Sequence, residues 1–404
     1  MRVLMVHNEY QMPGGEDEST RVEEEMLRSH GVTVESYRVS NKQISGTGGI
    51  STAANAIWSR ETYSRVRAVV REKKCDVVHV QNFFPLISPA VYYAAKSEGA
   101  AVVQTLRNYR LLCPNALFFR EGYACEDCLG RSVPWPAVIH RCYRGSLAAS
   151  GAVSAMLVVH RALRTWTQQV DVFIALTEFA SEKFVKGGFP ARKIVVKPNF
   201  AFARNDVTRS VRDDHFLYVG RLSEEKGIAT LLDAWRIVGQ DCRLKVVGTG
   251  PLAPVNGAYL KEPHIEFLGE RRVSEVADLM ERSRSVVFPS LVYEGMPRTI
   301  IEAFATGTPV IASRLGAMAE IVQDGVTGIH FESGNAADLA AKVKWAWNHP
   351  AEMEALGRAA SREYETKYTA ERNYKLLMDI YRRALVSCAK TTAAHESQTR
   401  VSEN

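Results

Sequence analysis

No stretch of eighteen apolar residues occurs in this 404-residue sequence, so no segment is long enough to span a bilayer as a helix. The opening MRVLMVHNEY has only a short apolar run before His7; it reads as a first strand and not as a secretion signal, and the chain is expected in the cytoplasm. No Asp-x-Asp motif stands in a strand-end context suited to a divalent cation, and there are no internal repeats. A nucleic-acid module is also missing: the basic residues are not interleaved with stacking aromatics on a platform. The net charge is +6, and the excess of Lys and Arg falls within residues 1–200. Such a half fits an anionic membrane surface better than a nucleic acid, with scattered solvated charge as the plain alternative. What remains, 46% hydrophobic and 24% charged residues, is ordinary for a soluble globular enzyme and ample for two α/β domains, each with its own core.

The chain is organised around residues 286–313, VVFPSLVYEGMPRTIIEAFATGTPVIAS. Val286 to Pro289 is a short apolar run of the kind buried in a parallel sheet. Glu294-Gly295-Met296-Pro297 makes a turn, Pro297 opens a helix from Arg298 to Ala305, and Val310-Ile311-Ala312 is the next strand. Glu294 thus lies beyond a strand's carboxyl end and Glu302 in the second helical turn, flanking a helix N-terminus able to hold an anion. By spacing alone, a solvated Glu294 and a Glu302 that decorates a helix stay open.

EGMPRTIIEA resembles the Glu-(seven residues)-Glu signature of retaining glycosyltransferase family 4, enzymes of the GT-B arrangement. The resemblance implies two Rossmann-like, doubly wound α/β domains facing across a cleft, with a C-terminal helix crossing back to the first. It implies that Glu294 lies near the donor sugar and phosphates and that Glu302 holds the ribose. The domains expected are an acceptor-binding one over 1–200, a nucleotide-sugar-binding one over 201–368, a returning helix over 369–388 and a disordered tail over 389–404.

The rest of the chain follows that pattern. Gly14-Gly15, before a helix for which Ser19 or Thr20 is the candidate cap, matches the family's glycine loop facing donor and acceptor. Gly220-Arg221-Leu222-Ser223-Glu224-Glu225-Lys226 sits between a strand and a helix and reads as a diphosphate clamp; Arg221 offers a fork and Lys226 a point charge. Gly250 belongs to the glycine turn after the next strand. His79, near a strand end, is a candidate base or acceptor contact, with a structural histidine as the alternative. Arg107 stands where the family commonly has a histidine; with Asn108 it is read as an acceptor or sugar contact able to bind an anion. Two stretches have no counterpart in the motif. Cys113, Cys125, Cys128 and Cys142 have spacings that could close a structural zinc site over residues 113–142, with disulfide or redox use, or four cysteines that bind nothing, as the alternatives. Gly145 to Gln169 reads as one long helix, rich in small residues, that packs on the sheet or lies at a membrane interface.

The resemblance implies transfer of a sugar from a nucleotide-diphosphate donor to a glycan or polyprenyl-linked acceptor, without a catalytic metal and without nucleic acid. It places the enzyme in polysaccharide biosynthesis, peripheral to the inner face of the plasma membrane. An epimerase or phosphorylase on the same scaffold, or a non-catalytic sugar-nucleotide-binding subunit, is the alternative.

Overall fold

The computed structural model describes residues 1–12, 14–46, 49–202, 212–253 and 262–402. It divides into two compact units: one holds Met1–Ala116, Glu126–Lys197 and the chain from Asn373 onward, the other Leu117–Cys125 and Pro198–Arg372.

The first unit is built on β1 (Arg2–Glu9), β2 (Thr33–Ser40), β3 (Val77–Asn82) and β4 (Ala101–Thr105). The tiny antiparallel hairpin β5 (Phe119–Arg120) and β6 (Tyr123–Ala124) follows in the chain, and then β7 (Val172–Ala175) and β8 (Ile194–Val196). The sheet runs β2-β1-β3-β4-β7-β8, every pairing parallel. Its central strands are continuous apolar runs, with Val3 to Val6 and Val77, Val78 and Val80 all at 0% exposure, as expected of strands covered on both faces by helices.

The second unit has β9 (His215–Val219), β10 (Arg243–Val247), β11 (Ile265–Gly269), β12 (Ser285–Phe288), β13 (Val310–Ser313) and β14 (Gly328–Phe331). Their order is β11-β10-β9-β12-β13-β14, again all parallel. Counted within the unit this is 3-2-1-4-5-6, the dinucleotide-fold order, which reverses direction between β9 and β12. Trp235, on the helix Ile228–Val238, anchors the core against Phe216 and ties its indole N–H to the Cys242 carbonyl at 3.0 Å. Both sheets therefore give the two doubly wound, Rossmann-like folds expected.

Local departures have identifiable causes. The first helix is Gly15–Ser29 with Gly14 as its cap; Asp17 reaches back to the Gly14 N–H at 2.8 Å, whereas the Ser19 and Thr20 hydroxyls bond carbonyls inside the helix. The long helix over 145–169 is two helices, Leu147–Ala162 and Thr165–Gln168, broken where Arg164 turns left-handed. That break lets the Thr165 hydroxyl meet His160 Nδ1 at 2.9 Å and buries Trp166. The closing helix runs Ala370–Ser402, into the stretch from 389 expected to be a disordered tail; no Gly or Pro interrupts it, and its alanines favour helix.

Candidate functional site

The reversal point of the second sheet gathers most of the residues singled out in that half of the chain. Because β9 and β12 are parallel neighbours, the loops after them leave from the same edge. They touch: a Cβ on Gly227 would lie 1.9 Å from the Pro289 carbonyl oxygen, and Gly227 has a φ of 70°, so only glycine fits. The Leu291 N–H donates to the Glu225 carbonyl at 2.9 Å, fixing the same contact. On the other side, a Cβ on Gly250 would lie 2.3 Å from the Leu222 carbonyl oxygen, and the Leu222 N–H donates to Thr249 O at 2.9 Å.

Held in this way, the Lys226 ammonium donates to Glu294 Oε1 at 2.6 Å, and the Ser290 hydroxyl donates to the same oxygen at 2.7 Å. The pair is half-open, with side-chain exposures of 28% and 13%. Arg221 is exposed and its guanidinium makes no ion pair among the described residues. Its carbonyl accepts from the Tyr218 phenol at 2.8 Å; burial pushes that phenol's pKa up, and Glu294 and Glu225 push it further. Two cations, one committed to a carboxylate and one uncommitted, thus stand at an edge where an anion is favoured. Pro297 caps the helix Arg298–Ala305 with φ −66° and contributes no side-chain cap bond, while Met296 is buried with its carbonyl accepting from Asn199 at 3.0 Å. Gly295, just before Met296, is half-buried. Glu302, one turn into the helix, accepts from Arg298 at 3.0 Å and stays 31% exposed, leaving its carboxylate open to a further donor.

In the first unit the same reading meets a different environment. His79 is fully buried: Nδ1 lies 2.8 Å from the Tyr381 hydroxyl and Nε2 2.7 Å from the Thr105 hydroxyl. Burial holds its pKa down at about 4, so at neutral pH it is an uncharged brace for the closing helix, which differs from the expected base or acceptor contact. Arg107 is also buried, donating to Gln81 Oε1 at 2.8 Å with Glu23 3.9 Å away. Glu23 accepts from Lys197 at 2.7 Å, and Lys197 donates to Asn373 at 2.9 Å. Burial works to raise the Glu23 pKa, but Lys197, His79 and Arg107 outweigh it and hold the carboxyl at about 2. Lys197 is pulled down by burial against the opposing pull of Glu23.

Sequence reasoning missed Glu23 and Lys197. The signal was present: Glu23 shares the apolar face of its helix with Met26 and Leu27, where a carboxylate needs a partner. It also missed Glu16, which accepts from the Tyr10 phenol at 2.9 Å and from the Asn108 amide at 3.0 Å. Asn108 therefore lies with a carboxylate at the strand-end edge of the first sheet, beside the Gly14-Gly15 turn.

The expected zinc site on the four cysteines finds no support. Among the described residues no group of three or more His, Cys, Asp or Glu is placed to hold a metal. Cys125 belongs to the hairpin segment of the second unit and the other three to the first. The loop is ordered by other means: the Cys125 N–H bonds Phe118 O at 2.7 Å, the Cys142 N–H bonds Ala137 O at 2.9 Å, and Phe118 and Ala137 are buried.

Two family models match the chain: a glycosyl transferase 4-like domain over residues 12–199, and glycosyl transferases group 1 over 213–349. The D-rhamnosyltransferase WbpZ of Pseudomonas aeruginosa is 32% identical over 160 residues, 38% of this chain and 42% of that protein. The phosphatidyl-myo-inositol mannosyltransferase of Mycobacterium leprae is 30% identical over 188 residues, 44% of this chain and 49% of that one. The chain thus spans less than half the length of these curated relatives. Among solved structures, Anabaena Alr3699/HepE in complex with UDP-glucose superposes with a TM-score of 0.64 at 16% identity, covering 94% of this chain and 98% of that one.

Proposed function

This chain belongs to the glycosyl transferases group 1 family, with its two domains of the GT-B kind, and on that premise we propose that it is a retaining glycosyltransferase. It moves a sugar from a nucleotide-diphosphate donor to a glycan or lipid-linked hydroxyl in polysaccharide or glycolipid biosynthesis. The observation that carries the reading is the Lys226–Glu294 pair beside an uncommitted Arg221, at the strand reversal where this fold takes nucleotides. The names of relatives support it: WbpZ is a rhamnosyltransferase, and the Anabaena neighbour was solved with UDP-glucose.

Breaking the anomeric bond of such a donor leaves a diphosphate with one more negative charge. Arg221 and Lys226 answer that charge as it develops, together with the amide ends of the helix Arg298–Ala305, so the stabilisation grows toward the transition state. Before donor arrives, Glu294 neutralises Lys226 and keeps it pointed at the site. Once phosphate draws on the lysine, the carboxylate is released toward the donor sugar, the role its motif implies. Glu302, anchored by Arg298, is left to accept from a ribose hydroxyl. The acceptor side falls to the first unit, where Asn108, Glu16 and Tyr10 offer hydroxyl-binding groups.

The test is donor turnover by Lys226→Ala and Glu294→Ala against a panel of nucleotide sugars. Both variants are expected to lose transfer while remaining folded; near-normal turnover by both removes the assignment.

A further inference from the structure

The helix Arg298–Ala305 carries an arrangement that helix stability does not explain. Its first turn holds no acid and opens on a cation, Arg298, at the end where the backbone dipole disfavours positive charge. Arg298 pairs with Glu302 one turn on, its Nη2 donating to Glu302 Oε1 at 3.0 Å. Such a pair supports a helix best when the acid comes first, and here it comes second. The guanidinium is also held from its other side, where Nη1 donates to the Phe200 carbonyl at 3.3 Å. That carbonyl is fixed in turn. Asn199 before it donates through its side-chain amide to the Met296 carbonyl at 3.0 Å, and the Ala201 carbonyl after it accepts from the Tyr364 phenol at 2.9 Å. Phe200 itself is buried, and all of these residues belong to the second unit. A strut of backbone, guanidinium and carboxylate thus ends on Glu302, whose Oε2 has no partner among the described residues.

We propose that Arg298 is a positioning residue for the nucleotide: it presents Glu302 Oε2 to the ribose hydroxyls of the donor and so sets a preference for ribonucleotides over their deoxy forms. The inference rests on the reading of Glu302 as the ribose contact and adds what makes that contact selective. A glutamate side chain free to turn loses its rotamer freedom when it meets a ligand, and one already held loses less. The carboxylate is an acceptor only, so with Oε1 engaged and Oε2 open it answers to a hydroxyl donor and gains nothing from a ribose that lacks one. An arginine reserved for the diphosphate would stand uncommitted, as Arg221 does, whereas both terminal nitrogens of Arg298 are engaged. Its effect therefore belongs to the ribose end of the ligand.

The experiment is calorimetric titration of UDP, GDP, ADP and CDP, each beside its 2′,3′-dideoxy form, into the wild-type chain, Arg298→Met and Arg298→Lys. The wild type is expected to bind a ribonucleotide about tenfold more tightly than its dideoxy form, the size of one hydrogen bond to a charged group. Arg298→Met is expected to bind the ribonucleotide about three- to tenfold more weakly and the dideoxy form as the wild type does, with the melting temperature unchanged. Arg298→Lys, whose ammonium still reaches one turn on, is expected to keep part of the preference, and it reads the same coupling should the methionine variant not fold. A full preference kept by either folded variant overturns the proposal. So does an equal weakening of both ligand forms, which makes Arg298 a structural or phosphate-binding residue. A wild type that binds a ribonucleotide and its dideoxy form alike overturns the proposal and leaves nucleotide binding standing, whereas one that binds none of the four removes the reading on which it rests.

Discussion

Each unit holds a lysine–glutamate pair, and the two pairs are nearly the same length. Lys197 meets Glu23 at 2.7 Å and Lys226 meets Glu294 at 2.6 Å. Their surroundings differ. The first pair is 1% and 2% exposed and shares its environment with His79, Arg107 and Asn373; the second is 28% and 13% exposed at an open sheet edge. A buried pair has no water to turn to, so removing one member leaves the other charge in the interior without its closest counter-ion. A half-open pair gains little stability from its own attraction and can exchange its carboxylate for an incoming phosphate. The lesson is that a paired lysine is functional or structural according to what else can reach it.

The largest effect should come from breaking the closed pair. Lys197→Met is expected to cost about 3 kcal/mol of stability, read by denaturant unfolding, because buried Glu23 loses its closest cation and keeps the Gln81 amide at 2.7 Å and the Arg107 guanidinium at 3.9 Å. Adding Glu23→Leu to it should recover much of that loss, and a double variant as unstable as the single one would break the comparison. Next, Lys226→Ala should lower turnover by about 10²–10³-fold while changing stability by no more than about 1 kcal/mol.

Acid should weaken both units. His79 is held at about 4, below its ordinary value of 6.5, so the unfolded chain takes up a proton first as pH falls. Stability should therefore drop between pH 6.5 and 4, by up to about 3 kcal/mol from this group. Glu23, held at about 2 against an ordinary 4.5, adds stability that is present above pH 4.5 and lost as pH falls through 2. His215, in the second unit and held at about 4 by burial, acts with the same sign as His79. Thermal melting across pH 4–7 should show the slope, and His79→Gln should flatten part of it. The smallest effect is expected from Glu302→Gln: about a three- to tenfold rise in donor KM, the size of one hydrogen bond, with the melting temperature kept.

Much of this was legible in the sequence because loop chemistry is local. The run from Gly220 to Lys226 and the run from Glu294 to Glu302, with Pro297 at its helix entry, each carry their chemistry within a few residues. What was not legible depends on distant partners. Glu23 meets Lys197 across 174 residues and His79 meets Tyr381 across 302, so a histidine near a strand end looked available when it was enclosed. Cysteine spacing is limited in the same way. Knuckle-like intervals show that thiols could converge, not that the backbone between them turns that way, and here backbone bonds to the buried Phe118 and Ala137 order the loop.

The most direct measurement is calorimetric titration of UDP and other nucleoside diphosphates into the wild-type chain and Lys226→Ala, with Arg107→Ala as the control from the closed network. The account predicts that one diphosphate binds the wild type, that Lys226→Ala weakens it more than about tenfold, the usual range for a lost charged hydrogen bond, and that folded Arg107→Ala binds as the wild type does. Undiminished binding by Lys226→Ala would contradict it.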